Sequence, residues 1–177
     1  MTRTIPLSKG MVAMVDDEDF PVVSAFRWTY SEIPFGTTGY AYGPAGQEKS
    51  GPGTKMCHFL VRPPSGMTVD HINGDGLDNR RSNLRICTRA ENCRNRRKQR
   101  RPTASIYKGV QRCKPAGWRA VIRACGVQRH LGTFRDEAEA AKAYDVAARK
   151  FHGSFACVNF PLPGESGALA GRNGKAA

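Results

Sequence analysis

Four side chains in the middle of the chain have the types and spacing to hydrolyse a phosphodiester: Asp70, His71, Asn83 and Asn92. That reaction needs an activated water, neutralisation of the charge that develops on the phosphate, and help for the departing 3′ oxygen. The carboxylate of Asp70 and the amide of Asn92 are hard oxygen donors. They suit a divalent cation such as Mg²⁺ or Mn²⁺, which takes few protein ligands and acts as Lewis acid and leaving-group clamp. His71 can accept a proton from the attacking water, because imidazole titrates near neutral pH. Asn83 can brace the intervening loop through hydrogen bonds to backbone groups.

These residues work together only if the local chain folds to bring them close. Residues 68–72 read as a strand, 73–83 as a polar loop, 84–88 as a second strand, and Arg89 onward as a helix. A hairpin with a helix packed across it can bring the end of its first strand to the first helical turns, so Asp70 and Asn92 can be neighbours. On a strand, adjacent Asp70 and His71 point to opposite faces. Asn73, Asp75, Asp78 and Asn79 read as turn formers beside Gly74 and Gly76, with Asp75 a weak third candidate ligand. His58 sits among Met56, Cys57, Phe59 and Leu60 and reads as a core histidine able to support the site from behind.

Upstream, residues 11–15 read as a strand. The cluster Asp16, Asp17, Glu18 and Asp19 then reads as acidic capping of a helix that carries Phe20, Val23 and Phe26, with Pro21 in its first turn. Residues 34–54, rich in Gly, Pro and Ser, read as a hairpin or long loop.

Net charge is +13 over 177 residues, and its location matters. Residues 1–69 carry six basic and six acidic side chains, whereas residues 70–105 and 106–160 each carry ten basic and four acidic ones. The run Arg94, Arg96, Arg97, Lys98, Arg100 and Arg101 falls between two patterned regions. A polyanion is the natural partner, since each Lys or Arg that meets a phosphate also releases a condensed counterion.

Beyond a basic stretch at 97–105 that reads as a linker, residues 106–112, 117–124 and 128–133 read as short strands, and 136–151 as an Ala-rich helix. In the middle strand Trp118, Ala120 and Ile122 alternate with Arg119, Val121 and Arg123, so one face packs and the other presents arginines. Residues 162–177 are Gly- and Ala-rich and read as a disordered tail.

The motifs carry two family resemblances. Asp-His-Ile-Asn-Gly at 70–74, Leu-Asp-Asn-Arg at 77–80, Ser-Asn-Leu-Arg at 82–85 and Glu-Asn at 91–92 resemble the HNH endonucleases of the phage and intron-associated homing type. The opening Ile-Pro-Leu-Ser-Lys-Gly at 5–10 also looks like that family. The resemblance implies His71 as general base, Asp70 and Asn92 as metal ligands, and Asn83 as the catalytic motif's middle asparagine. Tyr107-Lys108-Gly109-Val110, Trp118-Arg119-Ala120, Leu131-Gly132-Thr133-Phe134 and Asn159-Phe160-Pro161 resemble the AP2 DNA-binding domain. That likeness implies a sheet laid in the major groove, with Arg123 and Lys108 at contact positions, while Arg112 and Arg119 follow from the strand pattern. Gln111, Gln128 and His130 stand where plant relatives often carry Arg or Trp.

The expected architecture is therefore α+β: an N-terminal ββα-metal nuclease unit (1–96), a basic linker (97–105), a βββα AP2-like domain (106–161) and a tail. The expected activity is metal-dependent cleavage of double-stranded DNA, with a catalytically inactive DNA-binding regulator as the alternative. The six cysteines include no Cys-x-x-Cys pair, so no structural zinc and no disulfide framework is expected. Apolar runs too short to span a bilayer, and no secretory signal, lead to the expectation of a cytoplasmic, bacterial or phage-encoded protein.

Overall fold

The computed structural model describes residues 1–32, 38–43, 53–98, 104–115 and 117–169. The chain divides into two compact units, Met1–Asn92 and Cys93–Ala177. Among the described residues no helix is long and apolar enough to cross a membrane, and the six cysteines are free thiols.

The first unit opens with an antiparallel hairpin of β1 (Thr2–Pro6) and β2 (Val12–Asp16), turned by Lys9 and Gly10 in left-handed backbone. Alternation sends Ile5, Ala13 and Val15 inward, where they meet Val23 of α1 (Phe20–Ser24), Trp28 and Met56. Trp28 donates its indole N–H to the Val23 carbonyl at 2.8 Å, and Phe26, Trp28 and Phe59 pack edge to face.

The expected acidic cap of α1 is not formed. Asp19 stands at the cap position but its side chain makes no capping bond. Its two oxygens instead accept Arg81 Nη2 at 2.7 Å and Nε at 2.9 Å, and Asp16 accepts the Arg81 backbone N–H at 2.7 Å. A guanidinium gives a carboxylate two parallel charge-assisted bonds, a stronger partner than the end of a five-residue helix. The acidic cluster thus anchors the far end of the loop at 73–83.

Strands β3 (Thr29–Glu32) and β4 (Gly39–Tyr42) pair antiparallel, so the expected hairpin begins five residues before residue 34; residues 33–37 and 44–52 lie outside the described residues. Helix α2 (Met56–Val61) then packs on β5 (Thr68–His71) and β6 (Leu84–Cys87), which pair antiparallel with Asp70 opposite Arg85 and His71 opposite Leu84. Helix α3 (Arg89–Asn95) follows directly.

In the second unit β7 (Val110–Arg112), β8 (Trp118–Ala124) and β9 (Val127–Phe134) form an antiparallel sheet in that order, and α4 (Glu137–His152) packs on it. Asp136 caps α4 by accepting the Glu139 N–H at 2.9 Å. Ala140, Ala141 and Ala148 are buried beside Tyr144, and the small alanines let helix and sheet approach closely. Gly109, at φ +76°, lies so near the Tyr144 ring that a Cβ would collide with it.

The expected linker 97–105 is only partly visible, since residues 99–103 lie outside the described residues. The tail expectation fails for 162–169. There β11 (Ser166–Gly167) pairs parallel with β10 (Cys157–Val158), Ala168 is buried, and its N–H donates to the Val158 carbonyl at 2.7 Å. Glu165 locks the segment to α4 through a bidentate pair with Arg149 at 2.8 Å on each arm. A stretch poor in large apolar groups is held by charge and main-chain bonds, which composition does not display.

The Arg149 guanidinium holds the Glu165 carboxyl down at about 2, from an ordinary 4.5. A depressed carboxyl stabilises above its unfolded pKa and loses that contribution as pH falls through the folded one. Protection of the Ala168 amide from hydrogen exchange should therefore be full above about pH 4.5 and decline toward pH 2. Glu165→Gln should lower it at neutral pH and flatten this dependence.

Candidate active site and nucleic-acid interface

Strand alternation separates the two adjacent site residues. Asp70 is 5% exposed, and its Oδ2 accepts Arg85 Nε at 2.9 Å and Nη2 at 2.6 Å from the facing strand. His71 points to the other side, 4% exposed, with its Nε2 3.3 Å from Asn79 Oδ1 and its ring 5.6 Å from that of Tyr40. Burial pushes the His71 imidazole below its ordinary range, while the Asn79 hydrogen bond and the Asp70 charge oppose that shift. A neutral imidazole able to take up a proton is the form a general base requires.

Asn92 lies in the first turns of α3, its backbone N–H donating to the Thr88 carbonyl at 3.0 Å. Burial, then the Asp70 charge, raise the Cys87 thiol to about 11, and the main-chain N–H of Asn92 acts on the same sulfur in the opposite sense. Asp70 and Cys87 lie on the same face of the hairpin, since Asp70 pairs with Arg85 and Thr68 with Cys87. At neutral pH that thiol is protonated and is a poor ligand, which leaves a hard oxygen donor set and fits a Mg²⁺-like cation in kind.

The loop at 73–83 is held by a polar network around the buried Asp78, Asn79 and Asn83. Asn83 accepts the Asn73 N–H at 2.9 Å and donates to Asn73 Oδ1 at 3.0 Å and to the Asp78 carbonyl at 2.8 Å. Asp78 accepts Arg80 Nε and Nη2 at 2.7 Å each and Asn73 Nδ2 at 2.9 Å, which holds its carboxyl below the usual range. Asp78 and Asn79 are each only 1% exposed, so the expectation that they are simple turn formers is corrected: they form the inside of the loop. Asp75 does act in a turn, accepting the Leu77 N–H at 3.0 Å. His58 Nε2 accepts the Val69 N–H at 3.4 Å and lies 3.3 Å from Thr68 Oγ1, so it pins the strand that carries Asp70 and His71.

In the second unit, residues opposite one another across the sheet share a face. One row runs Gln111, Arg119, Thr133, a second pairs Val121 with His130, and a third pairs Arg123 with Gln128; the side chains of Arg119 and Arg123 are exposed. Arg112 does not join them. It lies opposite Trp118 on the other face, its guanidinium 5.1 Å from the Trp118 ring centroid. The expectation placed Arg112 one residue out of phase, and Gln111 holds the face position instead.

Lys108 also departs from the expected contact role. Its Nζ donates to the carbonyls of Arg94 at 2.8 Å and Arg96 at 2.7 Å, and burial lowers its pKa. Its backbone is clamped by Asn159, which in turn is held by the buried Asp145. Lys108 is thus committed to main-chain oxygens.

Residues 62–94, which span all four candidate site residues, match the family model described as HNH endonuclease. The chain is 28% identical over 158 residues to an uncharacterized HNH endonuclease of Acanthamoeba polyphaga mimivirus, covering 85% of this chain and 76% of that one. Residues 62–94 are thus similar in sequence to an HNH endonuclease domain. Over 62 residues it is also 52% identical to the AP2-like ethylene-responsive transcription factors AIL7 and ANT of Arabidopsis thaliana. That stretch is 33% of this chain and only 12% and 11% of theirs.

Removing the side chain of Asn83 takes the Nδ2 donor from the buried Asp78 carbonyl and the Oδ1 acceptor from the Asn73 N–H. At about 1–3 kcal/mol per orphaned group, Asn83→Ala should lower unfolding free energy by about 2–4 kcal/mol in urea denaturation. A loss under about 0.5 kcal/mol, the level of an ordinary surface change, would show that the loop stands without it.

Proposed function

We propose that the protein is a divalent-metal-dependent endonuclease of the homing type, hydrolysing phosphodiester bonds in double-stranded DNA that its AP2-like unit recognises. The observation that carries this reading is the division made by one strand, with the buried His71 imidazole on one side and the buried Asp70 carboxylate on the other. HNH nucleases generally use divalent metal ions. When bound, such a cation supplies Lewis-acid neutralisation of the phosphate and of the departing 3′ oxygen.

The chain's own residues do the rest. Asp70 and Asn92 hold the cation, His71 takes the proton of the attacking water, Asn83 keeps the loop in shape, and His58 keeps β5 in place. Gln111, Arg119 and Arg123 reach the edges or backbone of the duplex from the open sheet face, which a major groove about 12 Å wide admits.

One observation favours a second reading, a DNA-binding regulator with a silent site: the guanidinium of Arg85 already neutralises Asp70. A supercoiled plasmid separates the two. The wild type should produce nicked or linear DNA with Mg²⁺ or Mn²⁺, and His71→Ala should bind equally and cut about 10²–10⁴-fold more slowly. DNA bound but uncut under both metals would select the regulator.

The sheet assignments have their own test. Arg123→Ala should cost about 1–3 kcal/mol on the preferred sequence if the side chain reads a base. Gln111→Ala should alter sequence preference, whereas Arg112→Ala should leave it unchanged, as read from selected binding sites.

A further inference from the structure

We infer that Asn79 is the positioning residue that selects the tautomer of His71, making Nδ1 the atom that receives the proton; this rests on the nuclease reading above. The amide of Asn79 is oriented by its own contacts. Its Nδ2 donates to the Leu77 carbonyl at 3.2 Å, which turns Oδ1 toward His71 Nε2 at 3.3 Å. An amide oxygen only accepts, so Nε2 must carry the proton, and the lone pair of the neutral ring is on Nδ1.

The backbone around Asn79 is set as firmly as its side chain. The Asn79 N–H donates to the Met14 carbonyl and the Met14 N–H to the Leu77 carbonyl, each at 2.8 Å, so residues 77–79 pair with the edge of β2. The N-terminal hairpin therefore has a direct task at the site. It fixes the peptide from which Asn79 reaches the imidazole, and the Asp19–Arg81 pair holds the chain two residues further on.

The test is long-range ¹H–¹⁵N correlation NMR of the full chain, with the His71 signals identified among the four histidines by their loss in His71→Ala. The wild type should show a pyrrole-type Nε2 and a pyridine-type Nδ1. Asn79→Ala should mix the tautomers and lower kcat for plasmid cleavage by at least about tenfold while leaving KM within about twofold, bounded above by the whole contribution of a base. Asn79→Asp, which keeps the acceptor, should restore the tautomer.

The wild-type spectrum, assigned with His71→Ala, decides the tautomer even if Asn79→Ala fails to fold. A protein that cuts DNA while its His71 carries the proton on Nδ1 overturns the role given to Asn79. An Nε2–H ring in a protein that leaves DNA intact with every divalent cation tried fails the nuclease reading instead, and the positioning role with it.

Discussion

The first unit depends on a loop that has to keep its shape with almost no apolar side chains. Residues 73–83 contain a single large apolar residue, Leu77, so hydrophobic burial cannot hold them. Hydrogen bonds do so instead, and within the protein each buried donor or acceptor must be matched or it costs more than it returns. Asn83 and Asp78 supply that matching between them, with Arg80 closing the carboxylate of Asp78 from one side and Asn73 from the other. Such a network is sensitive to any one member, which makes its geometry well defined. That definition is what a base and its orienting amide require.

The same principle explains the N-terminal hairpin. A two-stranded ribbon is marginal alone. Here one face of the ribbon packs on Val23 and Trp28, and the β2 edge accepts residues 77–79 as a short parallel partner. The carboxylates of Asp16 and Asp19 then take Arg81, so main-chain and ionic contacts bind successive residues of the loop. Stability and alignment come from the same bonds.

Much of this could be read in the sequence because the motif Asp-His followed by Asn83 and Asn92 determines residue types at a spacing that few other purposes require. The hairpin at 68–88 follows from strand signals on each side of a Gly- and Asn-rich loop. Other features were hidden for physical reasons. Asn79 and Asp78 have the composition of an exposed turn, and only their burial shows that they form the loop interior. Arg112 was misplaced because a period of two gives the opposite face when the phase is set from the arginines of β8 rather than from the pairing of β7. The extra residue at Leu131 shifts β9 in the same way. Lys108 looks like any basic side chain in sequence, and its burial against two carbonyls is a tertiary event. The 162–169 segment was missed because a single bidentate ion pair and two bridging residues order it.

Arg85 shows how the site can be both stable and receptive. A carboxylate 5% exposed needs a cationic or hydrogen-bonding partner, since desolvating a lone charge costs several kcal/mol. The antiparallel register supplies one directly opposite, Arg85. A guanidinium and a divalent cation ask the same thing of a carboxylate, but they differ in reach. Under the proposed nuclease reading a phosphate would offer the planar donors of Arg85 a match as good as the carboxylate. The pair that completes the fold thereby orients Asp70 through two bonds from Arg85 to its Oδ2.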